Sequence, residues 1–308
     1  MSKRKRHLRA DYPPCDPGRK RIPYQIQNGH PESRSRHHEQ SSQPPRKGKC
    51  LDKQNHNIDA GSRVHSLLFI IRALLSIFLY SIPTMLVSIF SRNTGHCIAR
   101  AWSRRLLRAG CAEINVAGLE SLDTSRRYVF IANHQSHLDI PALMSTLPFN
   151  LVFIAKKELF RFPFFGWGIS MLGHISIDRS SARKARESFT NAVSRLKKED
   201  IALVIFPEGT RSPDGIVGTF KRGSFALPLE AGLPIVPVTI RGTRNILPKK
   251  SYLIHPGKAT ITVHEPVTVN GASAVDKENA ATRVREIIVR NTETEQIEKD
   301  RLLSKKFK

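Results

Sequence analysis

The stretch YVFIANHQSHLDIPAL, residues 128–143, starts as a buried strand and finishes as the first turn of a helix. Its opening run, YVFIA (128–132), is apolar at every position and rich in aromatic and β-branched side chains, which suits a strand covered on both faces. Pro141, just after Asp139, suits the first turn of a helix, where its missing N–H is not needed. Between the two lies a polar loop carrying His134 and Asp139.

The same alternation recurs along the chain. Further runs that read as strands are 113–118, 151–155, 174–178, 202–207, 234–240 and 260–267. Helical patterns separate them. The clearest is 180–199, where Ala182, Ala185, Phe189, Val193 and Leu196 recur at spacings of three and four. Another is expected over 93–109. Apolar strands alternating with helices define an α/β fold with a mostly parallel central sheet flanked by helices.

The 308 residues suffice for one such domain with additions. Residues 1–63 contain 15 Lys and Arg against 6 Asp and Glu, with much Pro, Ser and Gln and little apolar periodicity, and read as a disordered basic tail. Residues 64–109 read as membrane-associated helices, residues 110–275 as the α/β domain, and residues 276–308 as a C-terminal helix or tail, charged and amphipathic, expected to be a solvated surface element. From Ala73 to Phe90 there are 18 residues without a charge, close to the length that spans a hydrocarbon core. Arg72 interrupts the run, Pro83 can bend it, and basic residues flank it on both sides. That pattern points to a monotopic or re-entrant anchor on the cytoplasmic face of the inner or an internal membrane, with a single span as the other geometry. The four cysteines, Cys15, Cys50, Cys97 and Cys111, form no disulfide or zinc-site pattern. The net charge of +24 implies polyanionic partners such as phospholipid headgroups or phosphorylated substrates. Nucleic acid is not expected, because no nucleic-acid-binding motif accompanies the charge. A non-catalytic, membrane-tethered polyanion-binding module is the reading that charge alone would allow.

On a continuous helix His134 and Asp139 would stand about 140° apart and point away from each other. A turn through Gln135 and Ser136, with a helix starting near Asp139, would instead fold the carboxylate under the imidazole. The acid would then hold Nδ1 and leave Nε2 to accept a proton. No Gly-x-Ser-x-Gly elbow supplies a nucleophile, so the nucleophile belongs to the substrate, which is the logic of transfer to an alcohol. Two other readings stay open for these residues taken alone: metal ligation by His134, His137 and Asp139, and a plain helix cap.

A second stretch, VIFPEGTRSPDG (204–215), leaves an apolar strand and places Glu208, Gly209, Thr210 and Arg211 in succession at its carboxyl end, where open α/β sheets hold ligands. Arg211 can grip a phosphate with two hydrogen bonds. Lys221 and Arg222 follow before another helix start. Together the two stretches favour a phosphate-bearing alcohol as substrate.

These residues resemble the glycerolipid acyltransferase family, specifically the 1-acylglycerol-3-phosphate acyltransferases. NHQSHLD is similar to the family's first block, which implies His134 as general base and Asp139 as its partner. KKELFRFPFFGWGI with GHISIDR is similar to the second, implying that Lys157, Gly173 and Arg179 line the substrate site; His174 departs from the usual apolar residue there. FPEGTRS matches the third, implying acceptor binding by Glu208, Gly209 and Arg211, and LPIVPVTI the fourth, where Pro237 would shape the acyl pocket. The resemblance covers about residues 110–245. It implies transfer of a fatty acyl group from acyl-CoA or acyl carrier protein to the sn-2 hydroxyl of lysophosphatidic acid, giving phosphatidic acid. No cofactor or metal is implied, and membrane lipids are the expected partners. Glycerol 3-phosphate or another lyso-lipid is the alternative acceptor.

Overall fold

The computed structural model describes residues 60–155, 157–176, 182–269 and 271–292. All but the last few residues of the expected basic tail lie outside these, as do the end of the expected strand 174–178, residues 180–181 at the start of the expected helix 180–199, and residues 293–308.

Each of the seven apolar runs contributes a strand: β1 (Ala112–Ala117), β2 (Val129–Ala132), β3 (Leu151–Ala155), β4 (Ile175–Ser176), β5 (Ala202–Ile205), β6 (Ile235–Arg241) and β7 (Gly257–Val263). The helices are α1 (Ala60–Phe90), α2 (Arg92–Ala109), α3 (Asp139–Thr146), α4 (Phe165–Met171), α5 (Ala182–Lys198), α6 (Ala226–Ala231), α7 (Thr243–Ile246) and α8 (Ala274–Arg290). The strands form one sheet in the order β1-β7-β6-β2-β5-β3-β4. Five neighbours, β6, β2, β5, β3 and β4, run parallel. β7 pairs antiparallel with β6 and carries β1 parallel to itself at the edge. The sheet is therefore mostly parallel, as the sequence pattern requires.

β2 lies between β5 and β6 and is buried at every position. Successive side chains of a strand point to opposite faces, so both faces of β2 must be apolar. Phe130 and Ala132 pack with Leu143 and Leu147 around α3. Val129 and Ile131 pack on the other face with Leu196 of α5, Phe225 and Val284.

α8 is the amphipathic helix expected there, but it is more than a surface element: Ala280, Ala281, Val284 and Ile288 are buried in the core beneath the sheet, while Glu278, Arg283, Glu286 and Arg290 on the other face stay exposed. Half of the buried face is alanine, whose small side chain hides the apolar period among the charges. Ser273 caps the helix in a reciprocal bond with Asp276. The Arg285 guanidinium donates to Val217 O and Gly218 O, 3.0 Å each, and so ties α8 to the loop after β5.

α1 is long and apolar enough to cross a membrane, and it presents a strip of exposed residues, among them Leu67, Leu74, Phe78, Leu79, Leu86 and Phe90. That strip makes the chain membrane-associated. The opposite side of α1 packs on the protein. Trp102 Nε1 donates to Ser76 Oγ at 2.9 Å, and Ile254 N donates to Ser66 Oγ at 3.0 Å. The arginines of α2, which flank the apolar run in sequence, partly serve the fold: Arg100 donates to Phe149 O at 3.0 Å and Arg104 to Ser145 O at 3.4 Å.

α1 and α2 meet closely at Gly95, where an added Cβ would lie 2.0 Å from Ser88 Oγ and 3.3 Å from Leu172 Cδ2. A large side chain there must push the helices apart. Overpacking of this kind costs about 1–3 kcal/mol. Gly95→Leu is expected to lower the melting temperature of the detergent-solubilised protein by several degrees, read by circular dichroism.

Candidate active site

β2 ends at Ala132, and the next residue continues its pairing through a side chain. Asn133 Nδ2 donates to Ile240 O and Asn133 Oδ1 accepts from Ile240 N, each at 2.8 Å, with the amide fully buried. This pair of hydrogen bonds fixes the exit of the chain toward β6 just before His134.

The chain then turns as its spacing requires. The His134 Nδ1 to Asp139 Oδ2 distance is 2.7 Å. The same oxygen accepts from Gln135 N at 2.7 Å and Ser136 N at 2.9 Å. The other oxygen, Oδ1, accepts from Thr243 Oγ1 at 2.6 Å. Asp139 has no exposed surface. A buried carboxylate needs such donors, and an ionised one can only accept, so the shared proton sits on Nδ1 and Nε2 carries the lone pair. The imidazole stacks on Phe206, with ring centroids 4.1 Å apart and planes 17° apart. Its side chain keeps 15% exposure, enough for a substrate to reach it.

The loop after β5 clamps the backbone of the same histidine. Glu208 Oε1 accepts from His134 N at 2.8 Å, Oε2 accepts from Gly218 N at 3.0 Å, and Ser212 N donates to His134 O at 2.8 Å. Burial pushes the Glu208 carboxyl up from its ordinary pKa, and the two N–H donors oppose that shift. Gly209 takes a left-handed φ of 71°, and an added Cβ would lie 2.7 Å from Lys221 Nζ, so the lysine rests against the turn. Lys249 Nζ donates to Arg211 O at 2.5 Å and Thr210 Oγ1 at 3.3 Å. Arg211 stands near His137, whose pKa lies below the ordinary imidazole value through desolvation and then through the arginine's charge. The result is a cationic loop beside an oriented imidazole.

The structure thus brings together His134, Asp139, Glu208, Gly209, Thr210, Arg211 and Lys221. Lys157 begins a short 3₁₀ turn, Lys157–Arg161, just beyond β3. Gly173, at φ 81°, faces Arg195 of α5, whose Nη2 would meet an added Cβ at 2.6 Å. Arg179 lies outside the described residues. His174 accepts from Phe153 N at 3.1 Å through Nδ1. Desolvation, then the nearby His96 and Arg195, push its pKa down to about 3. A neutral imidazole therefore replaces the expected apolar side chain as a fixed acceptor for β3. Asn133, Thr243 and Lys249 escaped the sequence reading. Thr243 and Lys249 do sit shortly after an apolar strand, in RGTRNILPKK (241–250), the kind of position that carries site residues in α/β sheets.

Residues 113–241 match the model of the family described as Acyltransferase. The chloroplastic 1-acyl-sn-glycerol-3-phosphate acyltransferase of Arabidopsis thaliana is 36% identical over 180 residues, which cover 58% of this chain and 50% of that protein. A 1-acyl-sn-glycerol-3-phosphate acyltransferase of Chlamydomonas reinhardtii is 32% identical over 231 residues, covering 70% of this chain and 68% of that protein. The crystal structure of the 1-acyl-sn-glycerophosphate acyltransferase from Thermotoga maritima matches with a TM-score of 0.65 and 28% identity, over 77% of this chain and 96% of that one. The chain belongs to the glycerolipid acyltransferase family, among proteins like the 1-acylglycerol-3-phosphate acyltransferases. It spans about half the length of the chloroplastic relatives from Arabidopsis thaliana and Brassica napus.

Two outcomes are expected of the site's framework. Thr243→Val removes a donor from a buried carboxylate, a loss of roughly 1.5–3 kcal/mol; the midpoint of urea unfolding should fall, whereas Thr243→Ser should restore it. His174 and His96 have folded pKa values pushed down to about 3 and about 4, below the unfolded value of 6.5. The unfolded chain then binds more protons as the pH falls below 6.5, and stability drops through that window toward pH 4 and 3. The slope should approach about 1.4 kcal/mol per pH unit for each histidine. Denaturant melts between neutral pH and pH 5 check this, and His174→Phe should flatten the slope.

Proposed function

We propose that the chain transfers a fatty acyl group from acyl-CoA or acyl carrier protein to the sn-2 hydroxyl of 1-acylglycerol 3-phosphate, giving phosphatidic acid. The observation that carries this reading is the 2.7 Å contact of His134 Nδ1 with a fully buried Asp139. His134 Nε2 takes the proton of the lyso-lipid hydroxyl as its oxygen attacks the thioester carbonyl. The tetrahedral intermediate collapses with rupture of the C–S bond, and the imidazolium returns the proton to the departing thiolate. Asp139 stabilises the imidazolium between these steps. Arg211, Lys221 and Lys249 surround the acceptor's phosphate, and the family resemblance adds Arg179. Glu208 acts by position, holding His134 in register with Gly218, while Gly209 and Thr210 shape the turn. Lys157 and Gly173 lie on the β3–β4 side, toward which the acceptor's remaining contacts extend. The names of the relatives agree with this acceptor.

We further infer that α1 rests in one leaflet, on the cytoplasmic side, and does not cross the bilayer. Ser66 and Phe69 near its start and Thr84 and Ser88 near its end are all buried against the protein. Those ends are about 33 Å apart along the helix, as long as the hydrocarbon core is thick. A perpendicular helix would drag the arginines of α2 through that core. An acyl chain keeps the lyso-lipid in the bilayer, so a site held at the leaflet surface meets its substrate there.

His134→Ala is expected to lower kcat at least about 100-fold, the usual scale for loss of a general base, with the protein still folded and binding vesicles; because buried Asp139 loses the Nδ1–H donor, stability should fall as it does for Thr243→Val. Labelled acyl donor offered with 1-acylglycerol 3-phosphate, glycerol 3-phosphate or a zwitterionic lyso-lipid checks both base and acceptor. Full turnover in the alanine variant would refute the role of His134, and preference for an acceptor lacking the acyl chain or the phosphate monoester would refute the substrate.

A further inference from the structure

The lipid-facing strip of α1 continues off the helix onto the α/β domain. Phe78, half exposed on that strip, meets Phe164 edge-on with ring centroids 5.0 Å apart, and Phe164 meets Trp167 at 5.3 Å. This row of rings leads from α1 to a corner formed by the 3₁₀ turn Lys157–Arg161 and the start of α4. There Leu159, Phe162 and Trp167 stand 36%, 59% and 47% exposed. The corner is seated firmly. An added Cβ at Gly168 would touch Ser81 Oγ of α1 at 3.4 Å, and one at Gly166 would strike Phe160 O at 2.4 Å. The corner and α1 therefore present a single surface.

Three large apolar side chains on one corner, continuous with a membrane-associated strip, match a leaflet. Indole suits the boundary between headgroups and acyl chains, and the exposed Arg161 in the same turn suits the anionic headgroup layer. The turn also follows β3, whose Phe153 stacks with Phe206, the ring beneath His134.

We propose that the membrane-contacting surface is composite, with Leu159, Phe162 and Trp167 inserting into the same leaflet as α1, so that lipid meets the protein beside the strand ends that carry His134. The last clause rests on the acyl-transfer reading; the insertion does not.

The chain has two tryptophans, Trp102 and Trp167. Trp102→Phe in the full chain leaves Trp167 as the sole indole. The protein is bound to vesicles of phosphatidylcholine and phosphatidylglycerol, with or without bromine on the acyl chains. Trp167 should emit to the blue of an aqueous indole, lose most of its intensity to the brominated lipid, and resist aqueous iodide. Quenching of the bound protein by iodide and not by bromine would overturn the proposal while leaving α1 as the anchor. Protection from both quenchers would identify a contact between copies of the chain and would equally overturn it. Failure to bind vesicles at all would remove the membrane reading of α1 as well. Should Trp102→Phe not fold, the difference between the unaltered chain and Trp167→Phe reports the same signal. Phe162→Ser, at an exposed position, should weaken vesicle partitioning several-fold with its melt unchanged; unchanged partitioning would count against insertion. None of these readouts uses turnover, so an inactive protein with a bromine-quenched Trp167 would refute the acyl-transfer reading and keep the surface.

Discussion

A carboxylate with no exposed surface must find donors for its oxygens within the protein, and Asp139 draws on every level of the fold to do so. Its own loop supplies two amide hydrogens, its partner supplies the imidazole N–H, and the start of α7, just beyond β6, supplies the Thr243 hydroxyl. An unpaired carboxylate would be expensive to bury, so the acid, the loop and the neighbouring strand end are held as one unit. Asn133 reinforces the same junction by pairing with Ile240. Glu208 applies the same device from the other side, spending both oxygens on the amides of His134 and Gly218. Two buried acids thus set the position of one histidine.

The sheet explains why these parts can meet. β2 lies between β5 and β6, so the loops at their carboxyl ends share one rim. The loop after β5 brings the cationic residues, the loop after β6 brings Thr243 and Lys249, and β2 brings the histidine. Phe206 and Phe153 extend a stacked floor from the imidazole toward β3, and the neutral His174 receives the β3 amide beneath it. On that side α4 and Phe164 before it pack against α1, and the 3₁₀ turn packs on α4. A polar site and a lipid-facing surface can coexist within one domain because different elements carry them.

Much of this was legible in the amino-acid order. The central strands β2, β3 and β5, covered on both faces, are apolar at every position and were readable for that reason, whereas β1 and β7 were readable from their β-branched residues. The uncharged run ending at Phe90 and the Gly and Pro turns after β5 are equally local signals. The spacing of His134 and Asp139 across a strand exit and a helix start suggested their pairing, beside the cap and metal readings, and the 2.7 Å contact is what the structure adds. The depth to which α8 packs was less legible, since half of its buried face is alanine and its charges dominate the pattern.

What the sequence by itself determined was the strands, the main helices and their arrangement about one sheet, with the imidazole–carboxylate pair as an expectation, because each of these rests on burial periodicity or turn geometry among near neighbours. Only the tertiary structure decided which strand ends would adjoin. Thr243 reaches Asp139 across 104 residues and Asn133 reaches Ile240 across 107, and no local pattern encodes such partners. Hydrogen-bond donors are short-ranged, so who satisfies a buried acid is settled when the sheet assembles and its edges and centre take their places.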